Sequence, residues 1–205
     1  MSDMMRVQPF ETLLERSLAE LETRDSLFGI HRSLFYRPRN DSLYATEMFG
    51  DHLATPIGPG AGPHTQLTQN ILSAWLSGGR FIELKTVQIM DELEIPRPCI
   101  DMADEGYNVE WSQELRLEQS IEEYTKAWVL IHVLRRLLGF EENTPFGTIF
   151  NMSVGYDLEG IKSAPMTRFM DRMADASEGI ARFQASLEAN HPQLSDIDIP
   201  TQMVN

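Results

Sequence analysis

The chain has 205 residues, 42% of them hydrophobic, which is sufficient for one domain with a core and excludes general disorder. Its formal net charge of −14, without a cluster of Lys and Arg in the sequence, argues against a nucleic-acid partner. The single cysteine excludes an internal disulfide and a cysteine-ligated iron–sulfur cluster within the chain, and no apolar run reaches the roughly 18–20 residues that span a bilayer.

The first 42 residues are predicted to form a helix and a connector ahead of the main domain. Residues 1–17 carry charges where a signal peptide has an apolar block, so we expect a cytoplasmic protein. Apolar residues recur at helical spacing over 9–25, which predicts an amphipathic helix. Residues 26–41 are predicted to be an irregular, aromatic-rich connector, and 43–205 to be the second unit.

A hairpin, a glycine-rich turn, a helix and a strand are predicted next. Residues 43–58 have the composition of two short strands around Gly50–Asp51. After the glycines, residues 64–79 fit a helix with Thr65 as its N-cap, and 80–87 fit a strand. A strand, a turn, a helix and a further strand make the βαβ unit of a parallel sheet.

The rest of the chain continues this alternation of strands and helices. Residues 91–111 are predicted to be a long loop, of a length that is usually functional. A helix over 112–140, a strand within 147–160 and a helix over 165–190 follow, while 191–205 contain no predicted element. The order predicts an α/β fold with helices covering parallel strands, either a doubly wound sheet or a (β/α)₈ barrel.

The glycine run contains Gly58, Gly60 and Gly62, separated by Pro59 and Ala61. It is not G-x-G-x-x-G, and no Gly-Lys-Ser/Thr follows, so the dinucleotide and P-loop fingerprints are both missing. Small residues at a strand end can let a flat ring lie against the backbone, or they can simply make a tight turn. The spacing favours neither interpretation.

Lys85 is a sharper signal, because lysine is rare on a buried strand unless it has a partner. Lys85 and Thr86 lie near the C-terminal end of the predicted strand, and in parallel sheets that end faces the ligand crevice. Glu83 shares a strand face with Lys85 and is the alternative, structural partner. We favour a functional role for Lys85.

Four further polar residues follow predicted strands or precede predicted helices. Asn108 comes before the long helix; an asparagine suits a heterocyclic amide or a flavin edge, but capping of that helix is the simpler interpretation. Asn151, Ser153 and Asp157 lie at or beyond a third strand end, where a strand end with an Asx turn is the alternative. The five histidines have no metal-ligand spacing, so we predict no metal site, and no catalytic residue is identified.

Three blocks of the sequence closely resemble the N-terminal region of a bacterial family named "putative selenate reductase subunit", whose members are large, multidomain flavin and iron–sulfur proteins. The blocks are GDHLATPIGPGAGPHTQLTQNILSAWLSGGRFIELKTVQIMD, PCIDMADEGYNVEWS and FNMSVGYDLEGIK, and the likeness covers nearly the whole chain. More distantly, the blocks are similar to the FMN-binding barrel of dihydropyrimidine and dihydroorotate dehydrogenases. The resemblance implies the N-terminal portion of a (β/α)₈ TIM barrel, with an N-terminal helix and a β-hairpin.

The resemblance also implies FMN as cofactor and assigns roles to single residues. The backbone of Gly60 and Ala61 would lie against the flavin ring, and Lys85 and Thr86 would contact the edge of that ring. The loop with Asn108 would close the substrate side. Asn151, Ser153 and Asp157 would also face the substrate, but Asp157 stands where the dehydrogenases carry a pyrimidine-binding asparagine, so a pyrimidine substrate is not implied.

The resulting hypothesis is the N-terminal portion of a flavin-dependent oxidoreductase subunit that passes electrons to or from a heterocycle or an oxyanion. A complete barrel needs roughly 250 residues, so further domains or another chain would complete it, and this chain alone would hold FMN weakly. Electron-transfer proteins are the other expected partners. The alternatives are a non-catalytic docking or scaffold barrel and an inactive truncated product.

Overall fold

The structure is a computed structural model that describes residues 6–39, 41–89, 100–101, 107–108, 114–140, 146–155 and 157–204, the two short ranges by their backbone alone. Within these ranges it contains six α-helices and eight short strands. The helices are α1 (Phe10–Arg24), α2 (Thr68–Leu76), α3 (Leu117–Leu138), α4 (Leu158–Ile161), α5 (Ala164–Ala174) and α6 (Ser177–Asn190). The strands are β1 (Ser26–Leu27), β2 (Ile30–His31), β3 (Thr46–Met48), β4 (Asp51–Leu53), β5 (Phe81–Glu83), β6 (Ile100–Asp101), β7 (Tyr107–Asn108) and β8 (Ile149–Asn151).

The N-terminal helix is confirmed, whereas the connector after it is more regular than predicted. α1 ends where Asp25 adopts a left-handed conformation, with φ of 48°. The segment 26–41, expected to be irregular, contains the antiparallel pair β1–β2. Its turn residues Phe28 and Gly29 both have positive φ, which is the conformation that a two-residue hairpin turn requires. The sequence offered no Asn-Gly or Asp-Gly signal for this turn.

The predicted hairpin at 43–58 is confirmed as the antiparallel pair β3–β4. Its turn residues are Phe49 and Gly50, both with positive φ, so the turn lies one position before the predicted Gly50–Asp51. The Phe49 ring is largely exposed, and its centroid lies 6.2 Å from that of Phe81. The hairpin tip therefore reaches across to β5.

Four segments run parallel to one another in the order in which they occur in the chain. β5 and β8 pair in parallel with Phe81 opposite Ile149, and Val204 adds a parallel bridge to Phe150 on the outer side of β8. On the other side of β5, residues 57–59 accept backbone hydrogen bonds, such as the 3.2 Å bond from Phe81 N to the carbonyl oxygen of residue 57. We call residues 57–59, β5, β8 and Val204 the parallel sheet. Neighbouring parallel strands in chain order are the arrangement of a (β/α)₈ barrel.

The predicted strand before the glycines is divided in two. Its first part is β4, which pairs antiparallel with β3, and only residues 57–59 meet β5. Pro59 accepts a hydrogen bond from Glu83 N at 3.2 Å, but it has no N–H to return one to the carbonyl oxygen of Phe81. The ladder on this side of β5 is therefore incomplete.

The helix predicted over 64–79 is a 3₁₀ turn followed by α2. The prediction of Thr65 as N-cap is wrong, because its hydroxyl bonds to Gly62 within the 3₁₀ turn, at 3.2 Å from Gly62 N. The first helical N–H, that of Thr68, instead donates to the carboxylate of Glu123 on α3 at 2.8 Å. Glu123 also pairs with Lys126, and both side chains are about 1% exposed. This buried ion pair ties α2 to α3.

Two other predicted helices have different bounds. The helix predicted over 112–140 begins at Leu117 and ends at Leu138, where Gly139 caps it in a left-handed conformation with φ of 67°. The helix predicted over 165–190 is broken between α5 and α6, where Ala176 N donates to the carbonyl oxygen of Thr201 at 2.8 Å. This tertiary contact to the C-terminal segment and a local bond from Ser177 N to Asp175 Oδ1 at 3.0 Å both lie at the break.

The predicted loop 91–111 contains one pair of short strands. β6 and β7 pair antiparallel, with Ile100 opposite Asn108. The remainder of the loop lies outside the described residues.

The core lies between the parallel sheet and the helices, with α3 at its centre. α3 packs against α2 on one side and against α5 and α6 on the other, so most of its side chains are buried. α1 joins the same core through Phe10, whose ring centroid lies 4.7 Å from that of Phe183 on α6.

The division of the chain at residue 42 stays a prediction. In the part of the chain that the structure describes, no helix has the length and apolar character to cross a membrane.

Candidate functional site

Three predicted sets of residues meet at the carboxyl ends of neighbouring segments in the parallel sheet. Gly60 and Ala61 follow residues 57–59, Lys85 and Thr86 follow β5, and Asn151 and Ser153 end or follow β8. The ends of β5 and β8 run side by side, because Val87 and Val154 form a further parallel bridge. In barrel enzymes of this architecture, the carboxyl ends of the strands carry the active site. Their function in this chain stays a prediction.

The glycines of the run differ in what surrounds them. A Cβ atom on Gly58 would lie 1.5 Å from the carbonyl oxygen of Phe81, so this glycine permits the close approach of residues 57–59 to β5. A Cβ on Gly60 would have no atom within 4 Å. Gly58 is therefore explained by packing, whereas the space beside Gly60 is open.

Lys85 is buried, with 7% of its surface exposed, and its ammonium group donates to the carbonyl oxygen of Thr86 at 3.2 Å. The backbone of Lys85 is held from the helix side, because the hydroxyl of Tyr124 donates to its carbonyl oxygen at 3.0 Å. Burial raises the pKa of Tyr124, so the phenol stays neutral and keeps this donor. α3 thus fixes the backbone at the end of β5, from which the Lys85 side chain extends.

Glu83 is the residue that the sequence did not single out as part of the site. Its carboxylate accepts a hydrogen bond from Asn151 Nδ2 at 2.6 Å and another from Ser153 Oγ at 3.1 Å. Glu83 and Asn151 are direct register partners in the parallel pair, which brings together residues 68 positions apart in the chain. We call Glu83, Asn151 and Ser153 the strand-end cluster. Glu83 is intermediate in exposure.

The remaining two predicted residues are not part of the strand-end cluster. Asp157 caps α4, because its Oδ1 accepts from Gly160 N at 2.7 Å; the sequence had offered a strand end with an Asx turn as the structural alternative. The backbone of Asn108 lies in β7, and its side chain lies outside the described residues. No group of three or more His, Cys, Asp or Glu side chains that could hold a metal occurs among the described residues.

A cleft of about 520 Å³ opens at the other end of the parallel sheet. Its lining comes from the β3–β4 turn, from residues 146–150 before and within β8, and from the segment around Pro200. Next to it, His132 stacks on Phe146 with ring centroids 4.5 Å apart, and burial together with the nearby Arg135 lowers the pKa of His132 to about 3. A neutral histidine among aromatic rings at the amino ends of the strands indicates packing rather than chemistry.

Successive parallel segments, helices that cover them on one side and polar side chains at their carboxyl ends define this chain as part of a TIM barrel. The family described as "Oxidoreductase YgfK, N-terminal TIM-barrel domain" matches residues 28–202. The chain belongs to this family. The resemblance and the fold class predicted from the sequence, a partial TIM barrel, are thereby confirmed.

Two curated relatives, both named "Putative oxidoreductase YgfK", come from Escherichia coli strain K12 and Escherichia coli O157:H7. Each is 52% identical over 178 residues, which is 87% of this chain and 17% of the relative. The chain therefore spans a small part of the length of these relatives. Among solved structures, a ligand-free DHODH from Eimeria tenella matches 82% of this chain and 50% of its own, at 15% identity and a TM-score of 0.41.

Proposed function

We propose that this chain provides one wall of an FMN site in a flavin-dependent oxidoreductase. The observation that carries the proposal is the common position of Gly60, Lys85 and Asn151, with their neighbours, at the carboxyl ends of three adjacent parallel segments. Strand ends of this kind hold the cofactors and substrates of TIM-barrel enzymes. The name of the relatives supports oxidoreductase activity. FMN itself comes from the resemblance in the sequence.

The residues at these strand ends have the chemistry that a flavin needs. The backbone at Gly60 is open, which suits the face of a flat ring. The ammonium group of Lys85 is a fixed cation at the adjacent strand end, and it would offset negative charge on the ring. Thr86 would contact the same edge. When bound, FMN would supply the transfer of electrons.

The same proposal has consequences for partners and compartment. The electrons would pass to or from a heterocycle or an oxyanion, and selenate is one such oxyanion. Further residues of the longer protein, or another chain, would complete the barrel, and electron-transfer proteins would exchange electrons with the flavin. We place this activity in the cytoplasm, where a chain without an internal disulfide is at no disadvantage.

Replacing Lys85 by methionine tests the proposal. Lys85→Met keeps the length and the apolar stem of the side chain but removes its charge. We expect it to weaken FMN binding by about tenfold to a hundredfold, because a charge-assisted hydrogen bond contributes about 1.5–3 kcal/mol. The measurement is a fluorescence titration of FMN into the longest form of the protein that carries this chain, after removal of any bound flavin.

Lys162→Met is the matched control, because Lys162 is exposed and follows α4. It should leave FMN affinity unchanged. Circular dichroism and thermal unfolding of both variants separate a loss of the site from a loss of the fold. Equal FMN affinity in the wild type and in a folded Lys85→Met protein would remove Lys85 from the site.

A further inference from the structure

The strand-end cluster contains one group that can only accept hydrogen bonds. As a carboxylate, Glu83 offers two acceptor oxygens and no donor. One oxygen receives Asn151 Nδ2 at 2.6 Å, and the other receives Ser153 Oγ at 3.1 Å. Both oxygens of Glu83 are therefore used by donors from the neighbouring strand.

This arrangement fixes which atoms Asn151 and Ser153 present to anything that binds beside them. The amide of Asn151 must turn its NH₂ group toward the carboxylate, because its carbonyl oxygen would repel it. Its Oδ1 atom then points away from Glu83. The hydroxyl hydrogen of Ser153 is directed at Glu83 as well, which leaves the lone pairs of Oγ available.

We propose that Glu83 is a specificity-determining residue that makes this strand end select a ligand edge with N–H or O–H donors. Asn151 Oδ1 and Ser153 Oγ act as acceptors, and Glu83 holds both in that state. The ligand class that fits is a neutral heterocycle with a lactam, imide or amino group. This inference rests on the proposed function, since it names the substrate class of the same site.

An oxyanion fits the cluster poorly. Selenate and similar anions carry only acceptor oxygens at neutral pH, so they would meet Asn151 Oδ1, Ser153 Oγ and the Glu83 carboxylate without one hydrogen bond. In the proposed function the ammonium group of Lys85 offsets charge on the flavin ring, so Lys85 serves the cofactor and not a substrate anion at the strand-end cluster. The strand-end cluster therefore favours a hydrogen-bond donor over a negative charge.

The test is the ratio of affinities for two probes that differ in one donor. Succinimide carries an imide N–H, and N-methylsuccinimide lacks it. Ligand-observed NMR titrations of both, with sulfate as the acceptor-only anion, are made on the FMN-loaded longest form of the protein. We expect the wild type to prefer succinimide by about tenfold and to bind sulfate more weakly than either imide.

Glu83→Gln should reduce this preference to about twofold or less, because glutamine can donate and allows the Asn151 amide to turn. Ser153→Ala, at an exposed position, removes one acceptor and should reduce the preference in part. Glu159→Gln, an exposed glutamate on α4, is the matched control and should leave the ratio unchanged. A purely structural role for Glu83 would lower both affinities together and would not change their ratio.

The outcomes distinguish this inference from the proposed function. An FMN-loaded wild type without a preference for succinimide overturns the inference and leaves the flavin site intact. An unchanged ratio in Glu83→Gln, or tighter binding of sulfate than of the imides, also overturns it. A folded long form that binds no FMN overturns the proposed function, and this inference with it.

Discussion

Gly58→Ala is expected to destabilise the protein by about 3 kcal/mol, because overpacking against backbone atoms cannot be relieved by a rotamer change. The added Cβ would lie 1.5 Å from the carbonyl oxygen and 2.5 Å from the carbonyl carbon of Phe81. Residues 57–59 would have to move away from β5, and their backbone hydrogen bonds to Phe81 and Glu83 would be lost. Urea unfolding followed by circular dichroism measures the effect.

Gly60→Ala is the matched control for this substitution, two residues further along the same run. Its added Cβ would meet no atom within 4 Å, so we expect its stability to stay within about 0.5 kcal/mol of the wild type. The affinity for FMN should decrease in Gly60→Ala, because the added methyl group would occupy the space where the ring is proposed to lie. Equal stability of the two variants would contradict the packing role of Gly58.

Glu123→Gln is expected to destabilise the protein by about 3–5 kcal/mol, because it leaves the ammonium group of Lys126 buried without a counter-charge. The Glu123 carboxylate serves three donors in the wild type: Thr68 N and Thr68 Oγ1, each at 2.8 Å, and the ammonium group of Lys126. Glutamine has one acceptor oxygen and would direct its NH₂ group at the donors on the other side. The contact between α2 and α3 would loosen.

Glu122→Gln, on the same helix, is the control for charge removal alone. Half of the Glu122 side chain is exposed, and its Oε2 lies 3.8 Å from Arg182 Nη2. This ion pair should therefore contribute less than about 1 kcal/mol to the free energy of unfolding. Chemical unfolding of both variants at one pH and salt concentration gives the comparison. If Glu123→Gln loses no more than Glu122→Gln, the ion pair does not hold α2 to α3.

Much of the fold follows from local patterns in the sequence. The helical spacing over 9–25 placed α1 within one residue at each end, since an amphipathic helix carries its own signal. The break between α5 and α6 was not predicted: residues 175–176 include neither Gly nor Pro, and the one local signal is Asp175, whose Oδ1 accepts from Ser177 N at 3.0 Å. The bond from Ala176 N to Thr201 forms only once the C-terminal segment is packed.

The candidate site was predictable in position but not in its pairing. Lys85 stood out because a lysine is unusual on a buried strand, and the structure gives it 7% exposure. Glu83 was visible as its neighbour on the same face, but its partners Asn151 and Ser153 lie on β8. Only the register of β5 against β8 brings Glu83, Asn151 and Ser153 together. The sequence of one strand does not determine its register against a distant strand.

The glycine run shows the same limit in one short segment. Its composition was compatible with a turn and with a ligand wall. The structure assigns Gly58 to the close approach of two strands, and the surroundings of Gly60 stay open. A sequence of alternating glycines cannot separate these roles, because the difference lies in the distance to Phe81.

The visible absorption spectrum of the longest form of this protein, with identification of any released cofactor, tests the central claim most directly. The account predicts flavin bands and release of FMN from that form, and little or none from residues 1–205 purified alone. Correctly folded long protein with no flavin, before and after incubation with FMN, would contradict the account. Lys85, Thr86 and Gly60 would then be left as parts of a barrel that does not bind flavin.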